Sequence, residues 1–171
     1  MTFWLFGLSG AGKSTLADAL ACALRADGRA VLALDGDRLR EGLCSGLGFS
    51  DADRAENLRR AAEVARLATE SGLTVIAAFI TPRETNRAAI AGVVGEDRVR
   101  FVLVTAPLEI CRARDVKGLY ARQAAGHVPQ FTGISSAFEP PAHPHLALDT
   151  SAEPPAASAA RLLSFARAEL R

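Results

Sequence analysis

The sequence predicts an α/β fold in which a parallel sheet carries helices on both faces. Short apolar runs alternate with helical stretches from one end of the chain to the other. These runs are apolar on both sides, which is typical of strands in a parallel sheet that is covered on each face. The 171 residues fit one compact domain, and the hydrophobic share of 49% is sufficient for a core. We therefore expect a single domain over residues 1–171.

The first half of the chain is predicted to alternate three strands with two helices. The strands are residues 2–6, 30–34 and 74–79, and the helices are residues 14–26 and 51–71. Leu16, Leu20 and Leu24 recur one turn apart, which indicates an amphipathic helix. Gly72 is a typical helix stop before the third strand.

The second half is predicted to continue the alternation more loosely. A helix near residues 83–94 precedes a strand at 99–104, and Pro107 marks another helix start. A short strand at 146–148 and an amphipathic helix at 162–170 close the chain. Residues 151–158, rich in Ala, Pro and Ser, are interpreted as a connection.

One long stretch breaks this alternation. Residues 115–138 are polar and rich in Gly, and residues 139–144 contain three prolines. In a compact domain, an irregular segment of this length is typical of a lid or a binding loop. We therefore expect a mobile lid over about residues 115–138.

Composition excludes several classes of partner. Twenty Lys and Arg balance nineteen Asp and Glu, so the net charge of +1 argues against a nucleic-acid partner and favours a small anion. The three cysteines are far apart without CxxC spacing, which argues against disulfides and favours a reducing cytoplasm. The longest strongly apolar run, residues 73–80, is far shorter than the roughly 20 residues of a membrane helix. We expect a cytoplasmic protein without a membrane partner.

A phosphate-binding loop is the strongest motif. Residues 7–14 read GLSGAGKS, a complete GxxxxGK[ST] pattern, between a predicted strand and a predicted helix. Glycines let backbone N–H groups surround phosphate oxygens, and the following helix presents its positive end. Lys13 reaches the β- and γ-phosphates, and the Ser14 hydroxyl ligates Mg²⁺. The predicted nucleotide-binding residues are Gly7, Ser9, Gly10, Ala11, Gly12, Lys13, Ser14 and Thr15.

The class of P-loop protein is narrowed by length and by missing motifs. The sequence has no NKxD motif, which GTPases use to read guanine. A chain of 171 residues leaves little room for the coupling elements of a large ATPase. A small phosphotransferase with a lid fits best.

Further motifs stand where an acceptor would bind. The DGD at 35–37 follows the second strand, at the strand end where open α/β sheets bind ligands. LGFSDADRAEN at 47–57, FITP at 79–82, RDVKGLY at 114–120 and FTGI at 131–134 follow it. Together these blocks resemble the adenylylsulfate kinase (APS kinase) family, over nearly the whole chain up to residue 150. The resemblance implies a nucleotide-kinase-like P-loop fold. It also implies transfer of the ATP γ-phosphate, with Mg²⁺, to the 3'-hydroxyl of adenosine 5'-phosphosulfate, which yields ADP and 3'-phosphoadenylylsulfate (PAPS) for sulfate assimilation.

The resemblance also assigns catalytic roles. Lys13 and a Mg²⁺ ion held through Ser14 would neutralise the transferring phosphate. Asp37 corresponds to the carboxylate beside the acceptor hydroxyl and would act as general base or orient that hydroxyl. Asp35 would order Lys13 or a metal-bound water. Thr81 stands where many relatives carry a serine that is phosphorylated in some members; a hydroxyl remains, but direct transfer is simpler.

The same resemblance assigns the acceptor site. Its predicted residues are Asp37, Arg40, Phe49, Arg54, Asn57, Ile80, Thr81, Lys117 and Phe131. Arg40 and Arg54 would hold the phosphosulfate, and Phe49 and Phe131 would enclose the adenine. Arg114 and Lys117 would frame the lid and close over the phosphates. Members of the family often pair, so a homodimer is a candidate assembly.

Two alternative functions stay open at this point. The first is a kinase of the same architecture acting on another nucleoside or metabolite, and the second is a non-catalytic nucleotide-sensing domain. The intact catalytic set argues against the sensor, namely Lys13, Ser14, Asp35 and Asp37. The intact acceptor set argues against another acceptor, namely Phe49, Arg54, Asn57 and Phe131.

Overall fold

The structure, a computed structural model, describes residues 1–115, 118, 120, 121, 132 and 137–171. Within these residues, five strands form one sheet in the order β2-β3-β1-β4-β5. The strands are β1 (Thr2–Phe6), β2 (Val31–Asp35), β3 (Thr74–Phe79), β4 (Val99–Thr105) and β5 (Leu146–Asp149). All pairs are parallel, and Phe6 lies opposite both Phe79 and Leu103. The predicted parallel sheet is confirmed.

Helices cover both faces of this sheet. They are α1 (Lys13–Ala26), α2 (Gly36–Arg40), α3 (Asp51–Glu70), α4 (Glu84–Val94), α5 (Leu108–Arg114) and α6 (Pro155–Glu169). The central strand β1 is fully buried, and its side chains alternate between two cores. Phe3 and Leu5 pack into the core that includes α1 and α6, whereas Trp4 and Phe6 pack into the core that includes α3 and α4.

The C-terminal helix corrects one prediction. Helix α6 begins at Pro155, so residues 155–158 are helical and the predicted connection over 151–158 is wrong there. A proline is tolerated at the first helical position because the N–H it lacks would have no partner inside the helix. Ser158 is fully buried and its hydroxyl donates to Glu153 Oε1 at 2.9 Å, so this first turn belongs to the folded body.

A short helix follows β2 that the sequence did not predict. Helix α2 has only five residues, and Asp35 is its N-cap, with the Asp35 carboxylate accepting from the Asp37 N–H. Five residues are too few for an apolar periodicity to show. The cap nevertheless fixes where the DGD segment points, because it starts the helix directly at the strand end.

The carboxyl ends of neighbouring parallel strands meet at one edge of the sheet. This edge brings together the loop after β1, the cap after β2 and the turn after β3. The predicted lid over 115–138 lies largely outside the described residues. No described helix combines the length and the apolar character that a bilayer crossing requires.

Candidate active site

A cavity of about 370 Å³ opens at this carboxyl edge. Its size is within the ordinary range for a small-molecule site. Most of the predicted site residues line it: Ser9, Gly10, Gly12, Lys13, Ser14, Thr15, Asp35, Asp37, Arg40, Phe49, Arg54, Asn57, Ile80, Thr81 and Arg114. These predicted nucleotide-binding and acceptor-binding residues therefore share one continuous cavity.

Two glycines of the phosphate loop have no room for a side chain. A Cβ on Gly7 would lie 1.9 Å from Val104 O, and one on Gly10 would lie 2.6 Å from Cys111 O. Both residues also have positive φ, 148° and 79°. Only glycine fits such positions without displacing the backbone of β4 or α5. Gly7 does not line the cavity, so its contribution is to let the loop leave β1 at this angle.

Side chains hold the carbonyl groups of four consecutive loop residues. The bonds are Lys13 Nζ to Leu8 O (2.7 Å), Tyr120 Oη to Ser9 O (2.9 Å), Arg114 Nη1 to Gly10 O (3.3 Å) and Thr150 Oγ1 to Ala11 O (2.8 Å). Burial raises the pKa of Tyr120 to about 12, so its hydroxyl keeps the proton that it donates. The loop is thus braced by α1, by the end of α5, by Tyr120 after α5 and by Thr150 just beyond β5.

The Ala11 side chain does not face the cavity. It is fully buried and belongs to the core beneath α1. Its predicted role in nucleotide binding can therefore involve only its backbone. Among the described residues that sequence reasoning missed, Thr150 and Pro155 also line the cavity. Thr150 lies just beyond β5, and its position at the carboxyl end of a strand was a signal that could have identified it.

Asp35 links the phosphate loop to the acceptor side. The Ser14 hydroxyl donates to Asp35 Oδ2 at 2.8 Å, and Asp35 Oδ1 accepts from the Asp37 backbone N–H at 2.9 Å. Asp37 is exposed in the first turn of α2. One carboxylate therefore fixes both the hydroxyl next to the P-loop lysine and the helix that carries the second carboxylate.

The oxygens of Ser14 and Asp35 fit a magnesium ion. Mg²⁺ is usually bound by one or two protein oxygens together with substrate phosphates and water, rather than by a protein cage. No cluster of three or more His, Cys, Asp or Glu residues that could hold a metal occurs in the described residues. A hydroxyl and a carboxylate in contact beside the phosphate loop are the donors such an ion needs.

An exposed aromatic ring forms another wall of the cavity. Phe49 is 53% exposed, and the guanidinium carbons of Arg40 and Arg54 lie 4.5 and 5.7 Å from its ring centre. Arg40 Nη1 donates to Leu47 O at 3.1 Å and to Gly48 O at 2.7 Å, and Arg54 Nε donates to Phe49 O at 2.9 Å. The two cations thus hold the loop that presents the ring.

The positive charges of the two arginines favour the binding of a negatively charged group. Burial lowers the pKa of Arg54, and the positive charge of Arg40 lowers it further, against the opposing effect of Asp51. A bound anion would relieve both the desolvation and the repulsion between the guanidinium groups. This part of the cavity therefore favours an anionic ligand with a planar group.

Asn57 points to a ligand as well. Its side chain is buried on the first half of α3, and its Oδ1 has no hydrogen-bond partner among the residues that the structure describes. Buried polar atoms in folded proteins nearly always have a partner. Because Asn57 lines the cavity, a donor on a bound molecule would complete its hydrogen bonding.

The turn after β3 contains a strained residue. Thr81 has a φ of 44°, a left-handed conformation that costs a non-glycine residue about 1–3 kcal/mol. Its hydroxyl accepts from the Trp4 Nε1–H at 2.8 Å, and the residue is only 1% exposed. The hydroxyl is thus engaged in the interior. The predicted catalytic role of Thr81 stays a prediction.

Two predicted ligand residues, Lys117 and Phe131, lie outside the described residues. Arg114 is described and lines the phosphate-loop side of the cavity, donating to Thr150 Oγ1 at 2.9 Å and to Thr150 O at 2.8 Å. Its position at the end of α5 fits the predicted place at the edge of the lid segment.

The chain is similar in sequence to known proteins. The sequence model of the adenylylsulphate kinase family matches residues 1–149. The chain is 48% identical over 167 residues to an adenylyl-sulfate kinase of Aeromonas hydrophila, covering 98% of this chain and 85% of that protein. It is 52% identical over 148 residues to an adenylyl-sulfate kinase of Bacteroides thetaiotaomicron, covering 86% of this chain and 74% of that protein.

A solved structure shows the same similarity in three dimensions. The Mycobacterium tuberculosis APS kinase CysC, in complex with AMPPNP and APS, superposes with a TM-score of 0.92 at 39% identity. The superposition covers 97% of this chain and 96% of that chain. The similarity in fold thus extends over nearly the whole length of both chains.

Proposed function

Since the chain belongs to the adenylylsulphate kinase family, we propose that it transfers the γ-phosphate of ATP to the 3'-hydroxyl of adenosine 5'-phosphosulfate, giving PAPS and ADP. One observation carries the proposal. A single cavity joins a complete phosphate loop to an exposed phenylalanine flanked by two arginines, with Asp35 and Asp37 in its wall.

ATP is bound by the phosphate loop. Backbone N–H groups of the loop and the positive N-terminal end of α1 surround the β- and γ-phosphates. Lys13, the first residue of α1, places its ammonium group beside the loop through its bond to Leu8 O. Fixed dipoles and this charge stabilise the negative charge that spreads over the transferring group in a loose transition state.

Magnesium is the proposed cofactor. Ser14 would ligate it, and Asp35 would act through the Ser14 hydroxyl or a coordinated water. When bound, the ion supplies charge neutralisation for the phosphates of ATP. The residues themselves orient the phosphate loop and the start of α2 around that position.

Asp37 orients the acceptor hydroxyl and accepts its proton. The 3' oxygen of the acceptor forms a bond to the γ-phosphorus while the bond from that phosphorus to the β–γ bridging oxygen breaks. ADP leaves with the electron pair of the broken bond, and the Asp37 carboxylate accepts the proton of the attacking hydroxyl. Its place in the first turn of α2, on a cap fixed by Asp35, orients it without a long flexible linker.

The acceptor itself is held by charge, stacking and one amide. Arg40 and Arg54 face the phosphosulfate, and the Phe49 ring stacks on the adenine. Asn57 Oδ1 accepts a hydrogen bond from an N–H or O–H group of the bound adenylylsulfate. Adenylylsulfate offers all three kinds of group in one molecule: an anion, a planar base and hydrogen-bond donors.

The direct test is an acceptor assay. Purified protein with Mg-ATP and adenylylsulfate should form equal amounts of ADP and PAPS, measured by chromatography. A parallel panel of nucleosides, sugars and other small hydroxyl compounds should give at least a hundredfold less turnover. The Asp37→Asn variant, prepared identically, excludes a contaminating kinase. Turnover of another acceptor without turnover of adenylylsulfate would overturn the proposal.

Two further expectations accompany the proposed activity. A homodimer is expected because members of the family often pair. A cytoplasmic location is expected because ATP is the phosphate donor. Light scattering of the purified protein tests the first, and fractionation of the producing cells tests the second.

A further inference from the structure

A buried arginine lies behind residues 80–82, which form part of the cavity wall. Arg87, on α4, is 3% exposed and does not line the cavity itself. Charged side chains are rarely buried, and those that are buried are almost always paired. The function proposed above does not use Arg87, so its interactions require a separate explanation.

The guanidinium group of Arg87 joins three separate parts of the chain. Its Nε and Nη2 donate to Glu84 Oε2 at 3.0 and 2.6 Å. Its Nη1 donates to Thr81 O at 3.3 Å, and Nη2 also donates to Glu139 O at 2.8 Å. Its carbon lies 5.1 Å from the centre of the Phe6 ring.

Two more bonds close this network. The Glu139 N–H donates to Pro82 O at 2.7 Å, and Glu139 Oε2 accepts from the Glu84 N–H at 2.8 Å. Residues 80–82, which line the cavity, are therefore tied both to α4 and to the chain segment around Glu139.

The strained residue lies at the centre of these contacts. Thr81 has a φ of 44°, and such a conformation persists only where its surroundings determine it. Trp4 binds its hydroxyl from one core, and Arg87 binds its carbonyl from α4. Removing the guanidinium bond would allow the Ile80–Pro82 wall to relax toward an ordinary backbone conformation.

We propose that Arg87 is a positioning residue, whose planar guanidinium holds the Thr81 backbone in its left-handed conformation and so shapes the wall against which the acceptor nucleotide binds. The proposal rests on the proposed function for the identity of the acceptor. Lysine cannot replace this arginine, because one ammonium group cannot reach a carboxylate and two carbonyls that lie in different directions.

The test distinguishes an effect on use of the acceptor from an effect on ATP binding. In Arg87→Lys, kcat/KM for adenylylsulfate should fall at least tenfold, while the Kd for ATP should stay within twofold of wild type. Arg100→Lys is the matched control: Arg100 also combines a carboxylate, Glu169 Oε2 at 2.6 Å, with backbone carbonyls, but lies away from the cavity. Its kcat/KM and its ATP affinity should stay within twofold of wild type.

Equal losses toward ATP and acceptor in Arg87→Lys would overturn the inference, because they would indicate a general structural role. An unchanged kcat/KM in an active enzyme would also overturn it. If wild-type protein does not use adenylylsulfate, the proposed function fails instead, and that result is recorded before any variant is measured.

A second pair of variants covers the case in which Arg87→Lys does not fold. Glu139 is exposed, so Glu139→Ala should fold while losing the bond to the Glu84 N–H. We expect a threefold or larger fall in kcat/KM for adenylylsulfate. Glu139→Gln keeps an acceptor oxygen and should restore at least half of the wild-type value. Equal values for the two variants would contradict the proposal.

Discussion

The guanidinium carbon of Arg40 lies 4.5 Å from the centre of the Phe49 ring. The same arginine binds the two carbonyls that precede the ring, Leu47 O and Gly48 O. One side chain thus fixes the loop and covers part of the ring, which remains 53% exposed. An exposed ring that is held this firmly is prepared to stack on a ligand rather than to fill a core.

Replacing Phe49 should therefore weaken acceptor binding and leave folding intact. Base–aromatic stacking is worth about 1–3 kcal/mol, so the Kd for adenylylsulfate should rise roughly 5- to 150-fold in Phe49→Ala. Calorimetric titration measures this change. Leu43→Ala is the matched control, since Leu43 is 52% exposed and does not line the cavity. A drop in melting temperature without a change in Kd would identify Phe49 as a structural residue.

The Asp37→Asn variant should lose catalytic turnover but still bind ATP. The amide preserves the size of the side chain but cannot accept the proton of the attacking hydroxyl, so kcat should fall roughly 10²- to 10⁴-fold. The Kd for ATP, measured by fluorescence titration, should stay within twofold of wild type. Asp97→Asn, at a side chain that is 83% exposed, should keep full activity. Near wild-type kcat in Asp37→Asn would remove Asp37 from the mechanism.

The sheet could be predicted from the sequence because its strands are covered on both faces. Strands β1 and β3 are buried at every residue, so their apolar runs are unbroken in the sequence. The edge strand β2 is only half-buried, and its predicted range is displaced by one residue from Val31–Asp35. Helix α2 could not be predicted, since it depends on the cap that Asp35 provides rather than on any apolar pattern.

The candidate site could be predicted where its partners are close in sequence. Arg54 binds the carbonyl of Phe49, five residues earlier, within one motif. Thr150 and Ala11, in contrast, are 139 residues apart, and Arg87 reaches Glu139 across 52 residues. Local spacing does not reveal which distant carbonyl a side chain will reach. The hydrogen bonds by which these residues brace the site from behind were therefore visible only in the fold.

Asp35→Asn should change the dependence on magnesium. The asparagine still caps α2, so the fold should be kept, but the negative charge beside the Ser14 hydroxyl is lost. Residues that support a metal ligand typically change metal affinity 10- to 100-fold, so half-saturating Mg²⁺ should rise by roughly that factor. Initial rates at fixed ATP over a magnesium series measure it. An unchanged magnesium dependence would show that the ion is held without Asp35.

Glu56 should make the thermal stability of the folded protein depend on pH under acidic conditions. Hydrogen bonds from Arg59, at 2.7 Å, and Arg60, at 2.8 Å, lower the pKa of Glu56 from 4.5 to about 2. Because the pKa is lower in the folded state, the stabilisation is complete above pH 4.5 and is lost as the pH falls toward 2. The melting-temperature difference between wild type and Glu56→Gln should therefore shrink below pH 4.5.

The controls for this effect are a matched variant and salt. Glu109 is exposed and forms no ion pair within the part of the chain that the structure describes, so Glu109→Gln is the matched carboxylate variant. Glu56 is at the surface, and added salt should therefore reduce the difference at pH 7. A difference that grows as the pH falls would contradict the assigned ion pairs.

Thr150 should act on ATP affinity through the phosphate loop. Its hydroxyl donates to Ala11 O at 2.8 Å and accepts from Arg114 Nη1 at 2.9 Å, so Thr150→Val leaves a loop carbonyl and a guanidinium without this partner. Losing a hydrogen bond costs about 0.5–1.5 kcal/mol, which predicts a roughly 2- to 12-fold rise in the Kd for ATP. Thr150→Ser keeps the hydroxyl and should bind ATP like wild type. Thr69→Val, which loses a hydroxyl pair with Thr2 away from the cavity, should lower only the melting temperature. Equal ATP affinity in the valine and serine variants at position 150 would mean that the loop holds its shape without this bond.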